Sequence, residues 1–432
     1  MAEIHKTMAF CRYAAASPDT TIARMSSTSS SAPAAVPWQH DARLIALVGL
    51  AHMVSHFSQL LLPPLFPWLK DAFAVSYAQL GFVLTVFFVV SCGVQAAAGF
   101  LVDRFGPRPV LYAGLACIAV ACFGYASSTS YWMLVFFAGI SGVGNGVFHP
   151  VDYTLLNHKV SSARLGHAYS AHGLTGTLGW ALAPALMTGV TLAASWRMAL
   201  AVAGLVAVGV LLVLLLNQGQ LALAQRPAAR AQAGDGSFDF LKLPAVWMCF
   251  AFFFAFAMVI GVVQAFAPAA SGHLHGVDVA TVALCLTLYM MGSAGGMVLG
   301  GFLIKDPTRC EKVVATGFAF AACVAVALAL LPVPAALVPV LFVVMGFASG
   351  TAGPSRDLLV KQATPPGATG RVYGVVYGGL DVGQAITPLI FGLLMDHAQY
   401  RGVLLGLAVT QGLLILSAFR VRSVGRRPSL AS

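Results

Sequence analysis

The chain has 432 residues, of which 59% are hydrophobic and only 9% are charged, whereas a soluble globular domain carries about 25% charged residues. This composition excludes a water-soluble globule and indicates a protein that crosses a membrane many times. Backbone polar groups inside a bilayer need partners within the protein, and the long continuous apolar runs favour helices over a closed barrel. We therefore predict an all-α membrane protein.

The first residues are rich in Ser, Ala and Thr and contain no apolar core of the kind that a signal peptide needs. We predict that residues 1–43 form a disordered cytoplasmic tail. The first apolar run of spanning length follows directly after it.

Twelve apolar runs are each near or above the roughly 20 residues that a helix needs to cross a bilayer. They predict twelve transmembrane helices, and their approximate ranges are Leu44–Leu62, Leu80–Val102, Val110–Ser127, Tyr131–Leu155, Leu165–Val190, Trp196–Leu216, Leu243–Ala270, Val279–Ile304, Val313–Leu331, Ala335–Ser355, Val372–Leu394 and Gly402–Phe419.

The basic residues predict the orientation of these helices. When the runs alternate across the membrane, 21 of the 24 Lys and Arg residues fall on the side of the two termini, and only Lys70, Arg197 and Arg401 fall on the other side. Loops that remain in the cytoplasm carry the excess of basic residues, so both termini are predicted to be cytoplasmic, in an inner or plasma membrane. The net charge of +10 then needs no nucleic-acid partner, because these residues meet anionic lipid headgroups.

The longest polar connection divides the chain into two sets of six predicted helices. We expect a six-helix bundle at 44–216, a cytoplasmic linker at 217–242, a second six-helix bundle at 243–420 and a basic cytoplasmic tail at 421–432.

An internal repeat supports two six-helix pseudo-repeats, since eight residues recur unchanged after 204 positions. The pairs are Gly142 and Gly346, Gly146 and Gly350, Pro150 and Pro354, Leu155 and Leu359, Gly166 and Gly370, Tyr169 and Tyr373, Gly179 and Gly383, and Pro184 and Pro388.

The loop between the second and third helices, GFLVDRFGPRPVL from Gly99 to Leu111, concentrates charge between two apolar runs. Its matching positions, Gly99, Leu101, Asp103, Arg104, Gly106 and Arg108, resemble the signature loop of the major facilitator superfamily, whereas Pro107 replaces a basic residue. The resemblance implies a transporter fold of two six-helix halves with the substrate between them. We predict that Asp103 latches a cytoplasmic gate; an ordinary charged turn is the alternative.

Polar residues in the first helix are candidates for contact with a substrate or a proton. His52 and His56 are four residues apart and share a helical face, which Gln59 extends. Polar groups at membrane depth normally face a cavity, and the histidine side chain exchanges its proton near neutral pH. The alternative is that one histidine only donates to a neighbouring helix.

The fourth and fifth helices add further polar residues. Pro150 frees a backbone carbonyl beside His149, and we expect His149 and Asp152 to form a gate that pairs with Arg104 or Arg108. His172, in the glycine-rich fifth helix, is a further candidate for substrate or proton contact. The repeat places Arg356 and Asp357 at the position of Asp152, which predicts the matching gate of the second half.

Asp381 is the one acidic residue well inside an apolar run of the second half. A carboxylate near mid-membrane is costly unless it is paired, hydrated or protonated. We predict that Asp381 carries a coupled proton, with His52 or His56 assisting; a hydrogen-bonded structural acid is the alternative.

No lysine follows a glycine anywhere in the chain, so the phosphate-binding loop of an ATP motor is absent, and no zinc-peptidase motif occurs. The eight cysteines show no paired metal-ligand spacing, so neither a metal site nor any other cofactor is predicted. These exclusions favour a secondary transporter, not an enzyme, that works by alternating access as a monomer on a small-molecule substrate. A non-transporting sensor or assembly protein with the same fold is the alternative.

Residues in the first half of the chain resemble one particular branch of the superfamily. His56, the prolines Pro63, Pro64 and Pro67, the run from Gly142 to Pro150, and His172-Gly173 are similar to the fosmidomycin-resistance branch of the superfamily. This resemblance implies export of small anionic or amphipathic compounds. Uptake of organic anions together with an ion remains the alternative within the transporter class.

Overall fold

The computed structural model describes residues 38–161, 164–223, 239–303, 309–356 and 370–425, which form helices with short connections and no β-strand. Among these described residues, twelve helical stretches are long and apolar enough to cross a membrane. Spans 1 to 6 are Trp38–Phe73, Tyr77–Phe105, Pro107–Ser127, Tyr131–Lys159, His167–Ala193 and Trp196–Leu216. Spans 7 to 12 are Pro244–Ala265, Val279–Phe302, Cys310–Leu330, Ala335–Arg356, Val375–Asp396 and Tyr400–Val421. The predicted all-α, twelve-helix architecture is confirmed.

Several spans differ in detail from one straight helix. The helices of spans 5, 8, 11 and 12 extend to Leu165–Ala193, Val279–Leu303, Gly370–Asp396 and Tyr400–Gly425. Three spans are divided. Span 1 consists of the helices Trp38–Gln59 and Phe66–Phe73 on either side of a 3₁₀ turn at Pro63–Leu65, and span 4 consists of the helices Tyr131–Asn145 and Phe148–Lys159. Span 10 begins with a 3₁₀ turn at Ala335–Leu337, which the helix Val338–Thr351 follows. Short helices at Gln218–Leu221, Asp239–Lys242 and Ala267–His275 lie between the spans.

Three expected boundaries are corrected. The first helix begins at Trp38, within the predicted tail, because buried Asp41 accepts hydrogen bonds from Ser161 and Arg164 and so fixes the first turn. The predicted single helix Leu243–Ala270 ends at Ala265, since Pro268 cannot continue the backbone ladder and instead lies in the first turn of a new helix. The last helix runs into the predicted basic tail as far as Gly425.

The internal repeat is visible in the way that the helices pack. Gly146 of span 4 lies so close to span 2 that a Cβ atom there would be 2.5 Å from the carbonyl oxygen of Ser91. Its counterpart, Gly350 of span 10, abuts the carbonyl oxygen of Ser293 of span 8 in the same manner. Glycine at both positions therefore allows backbone-to-backbone contact of equivalent helices in the two sets of six spans.

Alternate crossing puts the start of span 1 and the end of span 12 on one side, here called the terminal side, and the opposite side is called the far side. The two sets of spans meet closely on the far side. The carboxylate of Asp396, at the end of span 11, accepts hydrogen bonds from the backbone N–H groups of Tyr77 at 2.7 Å and Ala78 at 2.9 Å. Deeper along the same pair of helices, the Thr85 hydroxyl donates to the Ala385 carbonyl at 2.7 Å. Spans 2 and 11 are thereby joined at the far side.

Candidate functional site

Four histidines and one aspartate of spans 1, 4 and 5 converge inside the first six spans. This histidine cluster consists of His52, His56, His149, Asp152 and His172. The centroid of the His52 ring lies 3.5 Å from that of His172, 4.4 Å from that of His56 and 5.3 Å from that of His149. The structure therefore brings together all four histidines that the sequence indicates as candidates.

Span 5 can approach span 1 because it presents glycines at the contact. A Cβ atom on Gly176 would lie 3.0 Å from His52 Nε2 and 3.0 Å from His56 Cε1, and one on Gly179 would overlap the carbonyl oxygen of Met53. Because the contact at Gly179 involves backbone, no side-chain movement could relieve it. Small residues on span 5 thus set the separation of the two helices and hold the histidines together.

Asp152 lies at the centre of this cluster and is fully buried. Its Oδ2 atom is 3.1 Å from His52 Nδ1 and 3.1 Å from His172 Nε2. The predicted pairing of Asp152 with Arg104 or Arg108 is therefore wrong for this structure. The reason is that the helix Phe148–Lys159 directs Asp152 inward, towards spans 1 and 5.

A second polar chain leads from His149 towards the last six spans. His149 Nδ1 lies 2.9 Å from Gln95 Oε1, and Gln95 Nε2 donates a hydrogen bond of 2.9 Å to Asp381 Oδ2. Gln95 thus joins a histidine of span 4 to the acid of span 11. Sequence reasoning missed Gln95, whose polarity inside an apolar run was the available signal.

Asn145, also missed from the sequence, organises the polar residues one turn away. Its Oδ1 atom accepts hydrogen bonds from Ser55 at 2.8 Å and from Gln59 at 3.2 Å, and its Nδ2 group donates to Ser91 at 2.8 Å. Gln59 in turn accepts from Trp180 at 2.9 Å. Gln59 is therefore part of a network that links spans 1, 2, 4 and 5.

The signature loop occupies the terminal side. Gly106, with φ of +80°, ends the helix of span 2 in a backbone region that favours glycine, and Pro107 begins the next helix. Gly99, Asp103 and Arg104 are exposed, and Arg104 lies over the ring of Phe105.

The first predicted gate is not seen as a closed pair. Within the described ranges, no hydrogen bond or ion pair joins Asp103 to Arg104 or to half-buried Arg108. Arg356 places its guanidinium group 4.1 Å from the ring centroid of Phe256, and Asp357 lies outside the described residues. The gate roles of these residues stay predictions.

Comparison with known proteins identifies the family. The model of the Major Facilitator Superfamily matches residues 48–355 and 312–431. The chain is 22% identical to the probable sulfoacetate transporter SauU of Cupriavidus necator over 60% of this chain and 64% of that protein. It is 24% identical to the fosmidomycin resistance protein of Escherichia coli over 33% of this chain and 35% of that protein.

A third relative is the membrane sensor protein UhpC of Salmonella typhimurium, which is 25% identical over 40% of this chain and 39% of that protein. The matches to these relatives thus span between about a third and two thirds of their lengths.

Solved structures show the same fold. A bacterial homologue of the human lysosomal transporter Spinster superposes with a TM-score of 0.73 at 14% identity, covering 90% of this chain and 98% of the other. A point mutant of the nucleoside transporter NupG gives 0.67 at 15% identity, covering 89% and 99%. With twelve spans and a family match along the chain, this protein belongs to the major facilitator superfamily.

Proposed function

We propose that the protein is a secondary active transporter that moves a small organic solute across the membrane by alternating access and is driven by protons. The histidine cluster is the proposed solute site, and Asp381 is the proposed proton carrier. Membership of a transporter family and the absence of an ATP-binding loop motif support this proposal, because concentrative transport without ATP must draw on an ion gradient.

The observation that carries the proposal is the chain from His149 through Gln95 to Asp381. Asp381 lies well inside span 11, and the one hydrogen bond to it that the described residues show comes from the neutral amide of Gln95. A carboxylate at membrane depth without a cationic partner is costly, so gain of a proton is a favourable way to remove the charge. Protonation would weaken the charge-assisted bond from Gln95 and so alter the contact between the two sets of spans.

The sidedness of this mechanism follows from the charge distribution of the sequence. If both termini are cytoplasmic, as the basic residues predict, the far-side contacts of Asp396 would close the outer face and the exposed loop of Asp103 would belong to an unlatched inner gate. The two bundles would then rock about the solute site, and Asp103 would engage when the inner face closes.

Small organic anions are the proposed solute class. The names of two relatives refer to sulfoacetate and fosmidomycin, and both compounds serve as probes. We propose export, because the name of the second relative refers to resistance and removal of a compound from the cell is one way to resist it. The purified protein, reconstituted in liposomes with an imposed pH gradient, should accumulate at least one of these probes, and a protonophore should abolish the accumulation. Absence of flux for both probes and for a panel of small organic acids would contradict the proposal.

The similarity to a membrane sensor favours one second candidate function. A sensor would bind a solute without moving it. The same liposomes separate the two functions, since a sensor would show solute-dependent changes in intrinsic tryptophan fluorescence without accumulation or exchange.

A further inference from the structure

Three side chains of the histidine cluster have the chemistry and spacing of a metal site. One ring nitrogen of His52, one of His172 and a carboxylate oxygen of Asp152 all lie within 4.8 Å of one another. The three residues are 2%, 4% and 0% exposed. A second trio, His52, His56 and His149, meets the same distance limit and shares His52 with the first. Two overlapping groups of three donors therefore lie side by side and share His52.

Several of these donors have unused hydrogen-bonding capacity. Among the described residues, His52 Nδ1, both ring nitrogens of His56, and Asp152 Oδ1 are buried without a hydrogen-bond partner. His52 Nδ1 lies 3.1 Å from Asp152 Oδ2, yet the direction of approach does not make a hydrogen bond. Buried polar atoms are costly when they remain unpaired, so this concentration at one place indicates a missing ligand.

The donor set selects the ligand. Within the described residues, the groups that contact the Asp152 carboxylate are imidazoles, and none of the ion pairs of Asp152 involves a Lys or Arg side chain. An inorganic anion would therefore meet a carboxylate without a compensating cation. Calcium and magnesium ions prefer six or more oxygen ligands. Imidazole nitrogens with one carboxylate oxygen instead match Zn²⁺, Co²⁺ or Ni²⁺.

The observed spacing also agrees with coordination. Bonds of about 2.0–2.1 Å in a tetrahedral site place neighbouring ligand atoms about 3.3 Å apart, and both histidine nitrogens lie 3.1 Å from Asp152 Oδ2. The rings of His52 and His172 are stacked with an interplanar angle of 23°, so rotation about χ2, a broad torsion in histidine, must direct both lone pairs at one ion.

We propose that His52, Asp152 and His172 bind a divalent transition-metal ion of the Zn²⁺, Co²⁺ and Ni²⁺ class. This inference rests on the proposed function in one respect, because the bound ion would supply the positive charge that a small organic anion needs beside the Asp152 carboxylate. Since all three donors belong to spans 1, 4 and 5, binding needs no movement of the last six spans. The ion can therefore be measured at equilibrium in detergent, where no transport occurs.

The test is isothermal titration of the untagged, full-length protein with Zn²⁺, supported by metal analysis after dialysis. One ion per chain is expected. Asp152→Asn and His172→Gln should weaken binding by about tenfold or more, since even residues that only orient ligands cost 10- to 100-fold. The matched control is His397→Ala, which removes an exposed histidine at the end of span 11 and should leave binding unchanged.

A spectroscopic measurement keeps the proposal testable if the cluster variants misfold. Zn²⁺-loaded wild-type protein should show imidazole nitrogen and oxygen neighbours at about 2.0–2.1 Å by X-ray absorption. Failure to bind one ion, or binding that His397→Ala weakens and Asp152→Asn does not, would overturn the metal site. Proton-driven flux of sulfoacetate together with a failed Zn²⁺ titration would leave the transporter proposal standing while the metal proposal fails.

Discussion

Loss of the Asp396 carboxylate should open the far side of the protein. In the structure its two oxygens accept hydrogen bonds of 2.7 and 2.9 Å from the backbone N–H groups that begin span 2. Removal of a capping acceptor costs about 0.5–2 kcal/mol. Asp396 is exposed, and solvent screening keeps the charge contribution small. We therefore expect Asp396→Ala to remove about 1–2 kcal/mol of the free energy that holds the far side closed. Because each 1.4 kcal/mol is a factor of ten, the population closed at the far side should fall about 5- to 30-fold relative to the open one.

Hydrogen–deuterium exchange in nanodiscs measures this shift directly, since the amides of Tyr77 and Ala78 are themselves the donors. Asp396→Ala should accelerate their exchange by about the same 5- to 30-fold factor. Ser76→Ala is the matched control: Ser76 caps the same helix locally, by accepting a hydrogen bond from the Gln79 amide, but it does not reach span 11. Equal exchange in wild type and Asp396→Ala would refute the idea that this contact holds the far side closed.

Three further variants test the packing and the terminal side. Gly179→Ala should destabilise the protein by about 1–3 kcal/mol, because the added methyl group overpacks against span 1. The control Gly173→Ala, whose Cβ meets nothing within 4 Å, should leave stability unchanged. Equal melting temperatures of these two variants would contradict the packing role of Gly179. Asn145→Ala should lower the melting temperature, because it removes three interhelical hydrogen bonds worth about 0.6 kcal/mol each in membranes; an unchanged value would show that they contribute nothing. Asp103→Asn should slow transport in a folded protein and increase labelling of cysteines placed on the terminal side; unchanged labelling would remove the gate role.

The sequence was sufficient to predict the twelve helices, because apolar length alone specifies a span in a membrane. It also identified all the histidines of the cluster as polar residues at membrane depth. It placed Asp152 wrongly, since a position near the terminal-side end of span 4 was taken to mean that the side chain reaches the charged loop. The direction of a side chain depends on helix rotation, which is set by packing against neighbouring spans.

Gln95 and Asn145 were not predicted from the sequence for a related reason. Gln95 and Asn145 are uncharged and occur singly in apolar runs, so nothing local distinguishes them from residues that hydrogen-bond within one helix. Their roles depend on contacts between residues 54 or more positions apart. The grouping of His52 with His172 and Asp152 is likewise a property of three helices together, which is why no metal-ligand spacing appears in the sequence.

Simultaneous recording of proton and solute flux tests most directly whether Asp381 carries the coupled proton. Liposomes that contain a pH-sensitive dye and the reconstituted protein are given a solute that the wild type transports. The wild type should change the internal pH as the solute moves. Asp381→Asn, which mimics the neutral carboxyl group permanently, should exchange solute at equal concentrations without any change in internal pH. Solute-dependent proton flux of the wild-type size in Asp381→Asn would contradict the account.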